Sequence, residues 1–364
     1  MKITAIELGM LRVPLRTPFR TALRTVEAIE DVVVQVRTAC GRTGHGSAPA
    51  TALITGDTHG SIIAAIRGSI APQVLGQDAG NLASLCARVQ AALVSNSSAK
   101  AAVDIALHDL WAQQHGAPLY HLLGGGTPEL RTDITISMDT PEAMVAACEA
   151  ALARGYATLK IKVGQEVALD VARVLAVHAA MAGRAVLRLD ANQGWTARET
   201  VRAMQALESA GVALELLEQP VKAADVAGLK YVSERIATPV MADESAFSPR
   251  QVLALLQERA VDIINIKLMK AGGISMANRI VDIAAMHGVR CMVGCMIESS
   301  ISAAAAAHLA VARADVVTLV DLDGPALGRF DPVLGNTRFD EARITIGDGA
   351  GLGITALNDL ERLG

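Results

Sequence analysis

The chain has 364 residues, 51% of them hydrophobic and 19% charged, a composition that excludes disorder and calls for a sizeable core. Aromatic residues contribute only 2%, so alanine, valine, leucine and isoleucine must supply most of the packing. A net charge of −4 excludes a broad attraction to nucleic acid or to anionic membranes.

Five cysteines, Cys40, Cys86, Cys148, Cys291 and Cys295, form an odd set without a CxxC pair, which reads as free buried thiols in a reducing cytoplasm. The opening "MKITAIELGMLRVPL" lacks the basic-then-apolar pattern of a signal peptide. The alanine-rich "ISAAAAAHLAVA" is too short for a membrane span and reads as a buried helix. A soluble cytoplasmic protein is expected, with no membrane or nucleic-acid partner.

Residues 1–45 carry two alternating apolar runs, read as strands flanking a long loop over Arg16–Thr25. Residues 60–123 read as helices, with "SAKAAVDIALHDLWAQQHGAPLYHLLGGG" forming a helix, a break and a short apolar closing segment. From about residue 130 the texture changes. Eight short β-rich runs follow at intervals of roughly 25 residues, each with a helical stretch behind it: residues 132–138, 157–163, 185–191, 213–219, 239–244, 262–268, 289–294 and 316–323. That alternation predicts an α/β fold of the (β/α)8 barrel type rather than a doubly wound sheet, which more often has five or six strands and a glycine-rich first turn. The tail "RITIGDGAGLGI" returns to strand and glycine character and is expected to pack on the N-terminal region.

Barrels place their chemistry at the C-terminal ends of their strands, and the ionisable residues collect there. Strand two ends with Lys160 and Lys162, strand three with Asp190, strand four with Glu218, strand five with Asp243 and Glu244, strand six with Lys267, and strand eight with Asp321 and Asp323. Strand residues two apart share a face, so Lys160 and Lys162 point together. Asp190, Glu218 and Asp243 come from successive strands without a histidine or cysteine among them, a hard-oxygen set that suits Mg²⁺ and disfavours zinc. Lys162 and Lys267 lie on strands two and six, opposite one another in a ring of eight, a placement for removing a proton from one face of a carbon and returning it to the other. A lysine acts as a base when its pKa is lowered, which burial and a nearby cation both do. Asp321 and Asp323 share a face and would form an anionic pocket for a substrate ammonium.

Six motifs in order, "TLKIKVG", "LRLDANQGW", "ELLEQPV", "PVMADES", "DIINIKLMKAGGIS" and "CMVGCMIESS", resemble the enolase superfamily in its muconate-lactonizing subgroup, over essentially the whole chain. The resemblance implies an α+β capping domain built from residues 1–128 and the C-terminal segment 329–364, over a (β/α)7β-like barrel at 129–328. It also implies one Mg²⁺ on Asp190, Glu218 and Asp243, an acid/base pair in Lys162 and Lys267, and Lys160 at the substrate carboxylate. Such sites use a lysine base and stabilise an enediolate with Mg²⁺.

Within the subgroup, the "DLD" of Asp321 and Asp323 is similar to the dipeptide epimerases, where the pair holds a free amino terminus. "TPFRTALRT" and "TALITGD" resemble the corresponding loops of the L-Ala-D/L-Glu epimerases, which implies that Arg24 meets a glutamate side chain and Thr135 orients the substrate. Cys295 and Ile297 fall where the family's strand-seven loop lines the ammonium pocket. The expectation is Mg²⁺-dependent epimerisation of L-Ala-L-Glu and L-Ala-D-Glu in peptidoglycan peptide metabolism, by a homo-oligomer. The alternatives are an epimerase for another dipeptide, an N-acylamino-acid racemase or an o-succinylbenzoate synthase. Two departures stand out: Ser47 replaces a family acid in "GHGSAP", and Cys295 stands where serine or another small residue is usual. Glu298 is read as a partner of Lys267 or of its own loop.

Overall fold

The computed structural model describes residues 1–21 and 24–364. The N-terminal region is a three-stranded antiparallel sheet, β1 (Ile3–Arg20), β2 (Thr25–Thr38) and β3 (Thr43–Pro49), followed by helices. These are α1 (His59–Ala65), which continues through a π-helical segment (Ile66–Ile70) into α2 (Ala71–Val74), then α3 (Leu82–Ala91), α4 (Ser97–His115) and α5 (Leu119–Leu123). Most of the expected Arg16–Thr25 loop is strand. After a register shift between Pro14 and Phe19, pairing resumes with Phe19 opposite Val26 and Arg20 opposite Thr25. The interruption follows from Pro14 and Pro18, which have no N–H for a ladder. Ala22 and Leu23 of the expected loop lie outside the described residues.

The motif "GHG" has a steric cause. A Cβ on Gly46 would sit 1.9 Å from the Ala102 carbonyl oxygen, and one on Gly44 would sit 2.2 Å from that of Ala106. The sheet therefore lies directly on the alanine face of α4, whose Ala99, Ala101, Ala102 and Ala106 are fully buried. With so few aromatics, close backbone approach replaces bulky side chains as the source of packing.

All eight expected barrel strands form: β5 (Ile134–Ile136), β6 (Thr158–Lys162), β7 (Val186–Asp190), β8 (Leu216–Glu218), β9 (Val240–Ala242), β10 (Ile263–Lys267), β11 (Arg290–Gly294) and β12 (Val317–Asp321). They pair in parallel in chain order. Between them run α6 (Pro141–Ala153), α7 (Val167–Met181), α8 (Ala197–Ser209), α9 (Val226–Ser233), α10 (Pro249–Gln257), the short α11 (Leu268–Ala271) with α12 (Ile274–Met286), and α13 (Ser300–Ala312). Only the four-residue α14 (Gly324–Leu327) follows β12. Inside the barrel, Leu216, Met241, Ile263, Met292 and Leu319 form a separate apolar cluster beneath the charged strand ends.

The seam between β5 and β12 carries no ladder among the described residues. Side chains close it instead. Leu322 N–H donates to Thr132 Oγ1 at 2.8 Å, and Thr135 N–H donates to Asp323 Oδ2 at 2.7 Å. Past the barrel, β14 (Thr337–Asp340) and β15 (Arg343–Ile346) join β4 (Glu129–Arg131), while β13 (Val333–Gly335) pairs with β16 (Ile354–Leu357). The last strand, β17 (Glu361–Leu363), adds antiparallel to β1 and returns the tail to the N-terminal sheet. The alanine-rich helix is α13, buried along nearly its whole length, and no described helix is long and apolar enough to cross a membrane. The cysteines are free; Cys40 is exposed, unlike the other four.

Candidate active site

One cavity at the C-terminal end of the barrel gathers the expected pocket residues. Lys160, Lys162, Lys267, Cys295, Asp321 and Asp323 line it from the barrel, together with Thr135 and Ile297, while Arg24 reaches it from the N-terminal region. Phe19, Thr21, Ile54, Asn192 and Met296 also line it, five residues the sequence reading did not single out. Phe19 sits with its ring centroid 5.9 Å from Lys162 Nζ.

Beneath the lysines lie the three expected metal ligands, all buried. Lys162 Nζ is 2.5 Å from Asp190 Oδ2, Lys267 Nζ is 2.8 Å from Asp243 Oδ2, and Lys160 Nζ is 2.6 Å from Glu218 Oε2. Asp190 and Glu218 occupy paired positions on β7 and β8, and Asp243 directly follows β9. Asn265, two residues before Lys267 and so on its face, donates to Glu218 Oε1 at 2.7 Å. Lys270 is buried and salt-bridged, with Nζ 2.5 Å from Asp243 Oδ1 and hydrogen-bonded to the Asp243 and Asn265 carbonyls.

These carboxylates fit a hard cation. Glu218 Oε2, Asp243 Oδ1, Asn192 Oδ1 and Glu244 Oε2 are buried oxygens that accept no well-directed hydrogen bond, although Lys160 and Lys270 lie at ion-pair distance from the first two. The donor set is all oxygen, as Mg²⁺ prefers. Crowding of like charge shows in the acids themselves. Burial, then repulsion from Asp190 and Asp243, pushes Glu218 up to about 7. Burial with Asp243 and Asp190 pushes Glu244 up to about 8. Burial also opposes ionisation of Asp243, but Lys267 and Lys270 hold its carboxyl well below the usual range.

The groups around Lys267 act on it in opposite directions. Burial pulls its pKa down, yet Asp243 and Glu218 outweigh burial and raise it above the ordinary lysine value. The acids that raise it are the same ones that would hold a cation.

On the pocket wall, Lys160 Nζ is 2.7 Å from Asp321 Oδ2. Burial disfavours the Asp321 carboxylate, but Lys160 and Lys267 keep its pKa low. Asp323 differs: burial and the neighbouring Asp321 push it up to about 6, against the hydrogen bond from Thr135. Behind Asp321 stands buried Asp133, bound by Arg188 Nη1 at 2.5 Å, while Arg188 Nε holds Glu215 at 2.6 Å. Arg188 is two residues before Asp190 on β7, and the period of two could have found it. No carboxylate among the described residues lies within ion-pair distance of Arg24, and burial lowers its pKa. Glu298 is buried and pushed up to about 8 by burial and by Asp31, with Ser302 and its own loop as hydrogen-bond partners. Arg20, at the end of β1, makes an exposed pair with Asp139.

Residues 5–124 match the family described as mandelate racemase/muconate lactonizing enzyme, N-terminal domain, and residues 143–360 match the enolase C-terminal domain-like family. The chain belongs to the enolase superfamily. Within it, the chain is 46% identical over 359 residues to the L-Ala-D/L-Glu epimerase of Clostridium acetobutylicum, covering 99% of this chain and 100% of that one. It is 39% identical to the hydrophobic dipeptide epimerase of Enterococcus faecalis, over 98% of this chain and 100% of that protein. Among solved structures, a substrate-liganded complex of the Bacillus subtilis L-Ala-D/L-Glu epimerase superposes with a TM-score of 0.96 at 46% identity, over 98% of this chain and 99% of that one. The Enterococcus faecalis dipeptide epimerase, complexed with Mg and L-Leu-L-Tyr, superposes with a TM-score of 0.94 at 39% identity, over 98% and 100%. The superfamily fold is thus a capped parallel barrel in this chain as in these relatives.

Proposed function

We propose that this enzyme is an isomerase that epimerises a dipeptide at the α carbon of its C-terminal residue, with L-Ala-L-Glu and L-Ala-D-Glu as the substrate pair. The observation that carries the reading is the convergence of three lysines, two aspartates and an arginine without an ion-pair partner among the described residues on one cavity above a buried acid cluster. Asp321 and Asp323 supply the negative wall that a free amino terminus requires, and an N-acylated substrate has no use for it. Arg24, without a carboxylate partner among the described residues, supplies a cation for the glutamate side chain. Thr135 and the Cys295–Ile297 segment shape the wall between them.

Lys162 and Lys267 stand on the second and sixth strands of eight, so each faces the reacting carbon from its own side. One takes the α proton while the other delivers a proton to the opposite face, and the direction of reaction exchanges their roles. Asp190, Glu218 and Asp243 would hold Mg²⁺, which supplies charge stabilisation for the enediolate formed on proton removal. Lys160 adds a fixed positive charge beside that oxygen pair. The same reading divides the chain into a capping domain from residues 1–128 and 329–364 and a barrel from 129–328. Its place is in cytoplasmic metabolism of peptidoglycan peptides, where an Ala-Glu unit is released.

Incubation of L-Ala-L-Glu with enzyme and Mg²⁺ in D₂O, followed by proton NMR, tests the proposal. Loss of the glutamate α-proton signal with appearance of the L,D epimer is expected. Absence of exchange with every Ala-Xaa dipeptide would refute it.

A further inference from the structure

The helices after the first five barrel strands each begin with a side chain that caps them. Thr140, Glu166, Thr196, Asp225 and Ser248 accept hydrogen bonds from backbone N–H groups in the first turns of α6, α7, α8, α9 and α10. The helices after strands six and seven do not. Gly273 stands at the start of α12 and Ser299 at the start of α13, and neither makes a side-chain cap. Helix starts leave backbone donors that need acceptors, above all when buried.

The acceptors come from the capping region. Asp104 on α4 receives Ser275 N–H at Oδ1, 3.2 Å away, and the Ser275 hydroxyl at Oδ2, 2.5 Å away. A Cβ on Gly273 would fall 2.5 Å from the Asp104 side chain, and φ there is +112°, so the place of a local cap is already filled by Asp104. Asp31 on β2 receives Ser299 N–H at 2.9 Å, the bond a third-position glutamate makes in a capping box. The Ser299 hydroxyl instead faces Ser47 on β3 at 3.2 Å, and Ser47 donates to Ser302 at 3.1 Å. Both aspartates are fully buried. A buried carboxylate at a helix N-terminus also gains from the helix dipole.

The two borrowed caps fall on the two segments with the most at stake in the cavity. Lys267 ends β10 and is separated from Ser275 only by α11, Gly272–Gly273 and Ile274. Cys295, Met296 and Ile297 line the cavity immediately before Ser299. We propose that Asp31 and Asp104 are positioning residues, through which the capping region sets the strand-six and strand-seven segments of the active site. This rests on the proton-transfer role proposed for Lys267 and on the lining role of Cys295 and Ile297. Asp104 acts through the Lys267 segment and governs turnover. Asp31 acts through the Cys295–Ile297 segment and governs substrate binding.

The test uses the whole enzyme with Mg²⁺ and L-Ala-L-Glu. Asp31→Ala is expected to raise KM roughly tenfold or more with kcat within about threefold, the equivalent of losing one cap interaction. Asp104→Ala is expected to lower kcat by a similar factor with KM little changed. Asp31→Asn, which keeps an acceptor, is expected to recover most of the loss and serves if the alanine variant does not fold. The deciding variant is Asp31→Ala with Ser299→Asp, which gives α13 a cap of its own. Recovery of Tm without recovery of KM supports positioning; recovery of both overturns it, because capping alone would then account for the effect. An unchanged KM in Asp31→Ala also overturns it. If the wild-type enzyme epimerises no dipeptide, the functional reading fails, and hydrogen exchange decides the structural claim by itself. Faster exchange confined to residues 296–303 in Asp31→Ala and to 272–277 in Asp104→Ala supports it, and unchanged or uniform exchange overturns it.

Discussion

Lys160 holds its ammonium group 2.7 Å from Asp321 and 2.6 Å from Glu218, so a single side chain joins the pocket wall to the buried acid cluster. Burial opposes its charge, but Asp321, Glu218 and Asp190 keep it protonated well above the ordinary lysine value. Asp321 fixes Lys160, and on the proposed function it has a second task, facing a substrate ammonium.

Asp321→Asn separates these tasks from the chemistry. Charge-assisted hydrogen bonds contribute about 1.5–3 kcal/mol, so KM for a free-amine dipeptide should rise roughly 10- to 100-fold. The ratio of kcat/KM for Ala-Glu over N-acetyl-Ala-Glu measures the ammonium task. An unchanged ratio would count against an ammonium site at Asp321.

Replacing either base should stop epimerisation. Lys162→Ala and Lys267→Ala are each expected to lower turnover by about 10²–10⁴-fold or more, the usual contribution of a positioned acid or base. Each variant should still exchange the α proton of the one epimer whose proton faces the remaining lysine. NMR in D₂O on both epimers reads this directly. Full two-way turnover in either variant would exclude a two-base reaction.

Chelation should abolish exchange, and Mg²⁺ should restore it. Glu218→Gln removes one of the buried acids and should weaken Mg²⁺ binding in a calorimetric titration at least tenfold. Equal affinity in the variant would place the ion elsewhere.

Arg24→Met tests the second substrate residue. Activity on Ala-Glu should fall roughly 10- to 100-fold through KM, while activity on Ala-Leu holds or improves. A parallel fall on both substrates would assign Arg24 to the loop and remove it from the pocket.

His308 gives a stability prediction away from the site. Its Nδ1 accepts the Tyr120 backbone N–H at 3.0 Å inside the protein, and burial pushes its pKa down to about 3 from an ordinary value of 6.5. Because the folded value is the lower one, the unfolded chain binds this proton first. The contribution to stability is present above about pH 6.5 and is lost as pH falls from there towards 3. His308→Gln should be less stable than wild type at pH 7, and the gap should narrow by pH 4.5 in urea unfolding. A gap that is constant with pH would mean that His308 does not stay neutral.

The barrel was legible because each strand is a short, largely apolar run, and the site because unlike charges end those runs. Lys160, Asp190 and Glu218 announced themselves as charges in apolar strands, where only pairing tolerates them. What stayed hidden was partnership across long sequence distance. Asp133 and Arg188 meet 55 positions apart, and Asp31 meets Ser299 across 268, neither with a local signature. Lys270 likewise meets its partners, Asp243 and the Asn265 carbonyl, only through the fold. Asn265 could have been found from its spacing to Lys267. The strand character of Arg16–Arg20 could not, since Pro18 in a polar, threonine-rich stretch reads as loop.

The side-chain closure of the seam between β5 and β12 has an evolutionary consequence. Thr135 and Asp323 both line the cavity and fasten the last strand to the first. On the proposed function, drift towards substrates without a free amine must therefore proceed against a loss of barrel stability whenever it touches Asp323. Compensating substitutions elsewhere would have to come first, so the order in which new specificities arise is constrained by the way the ring is closed.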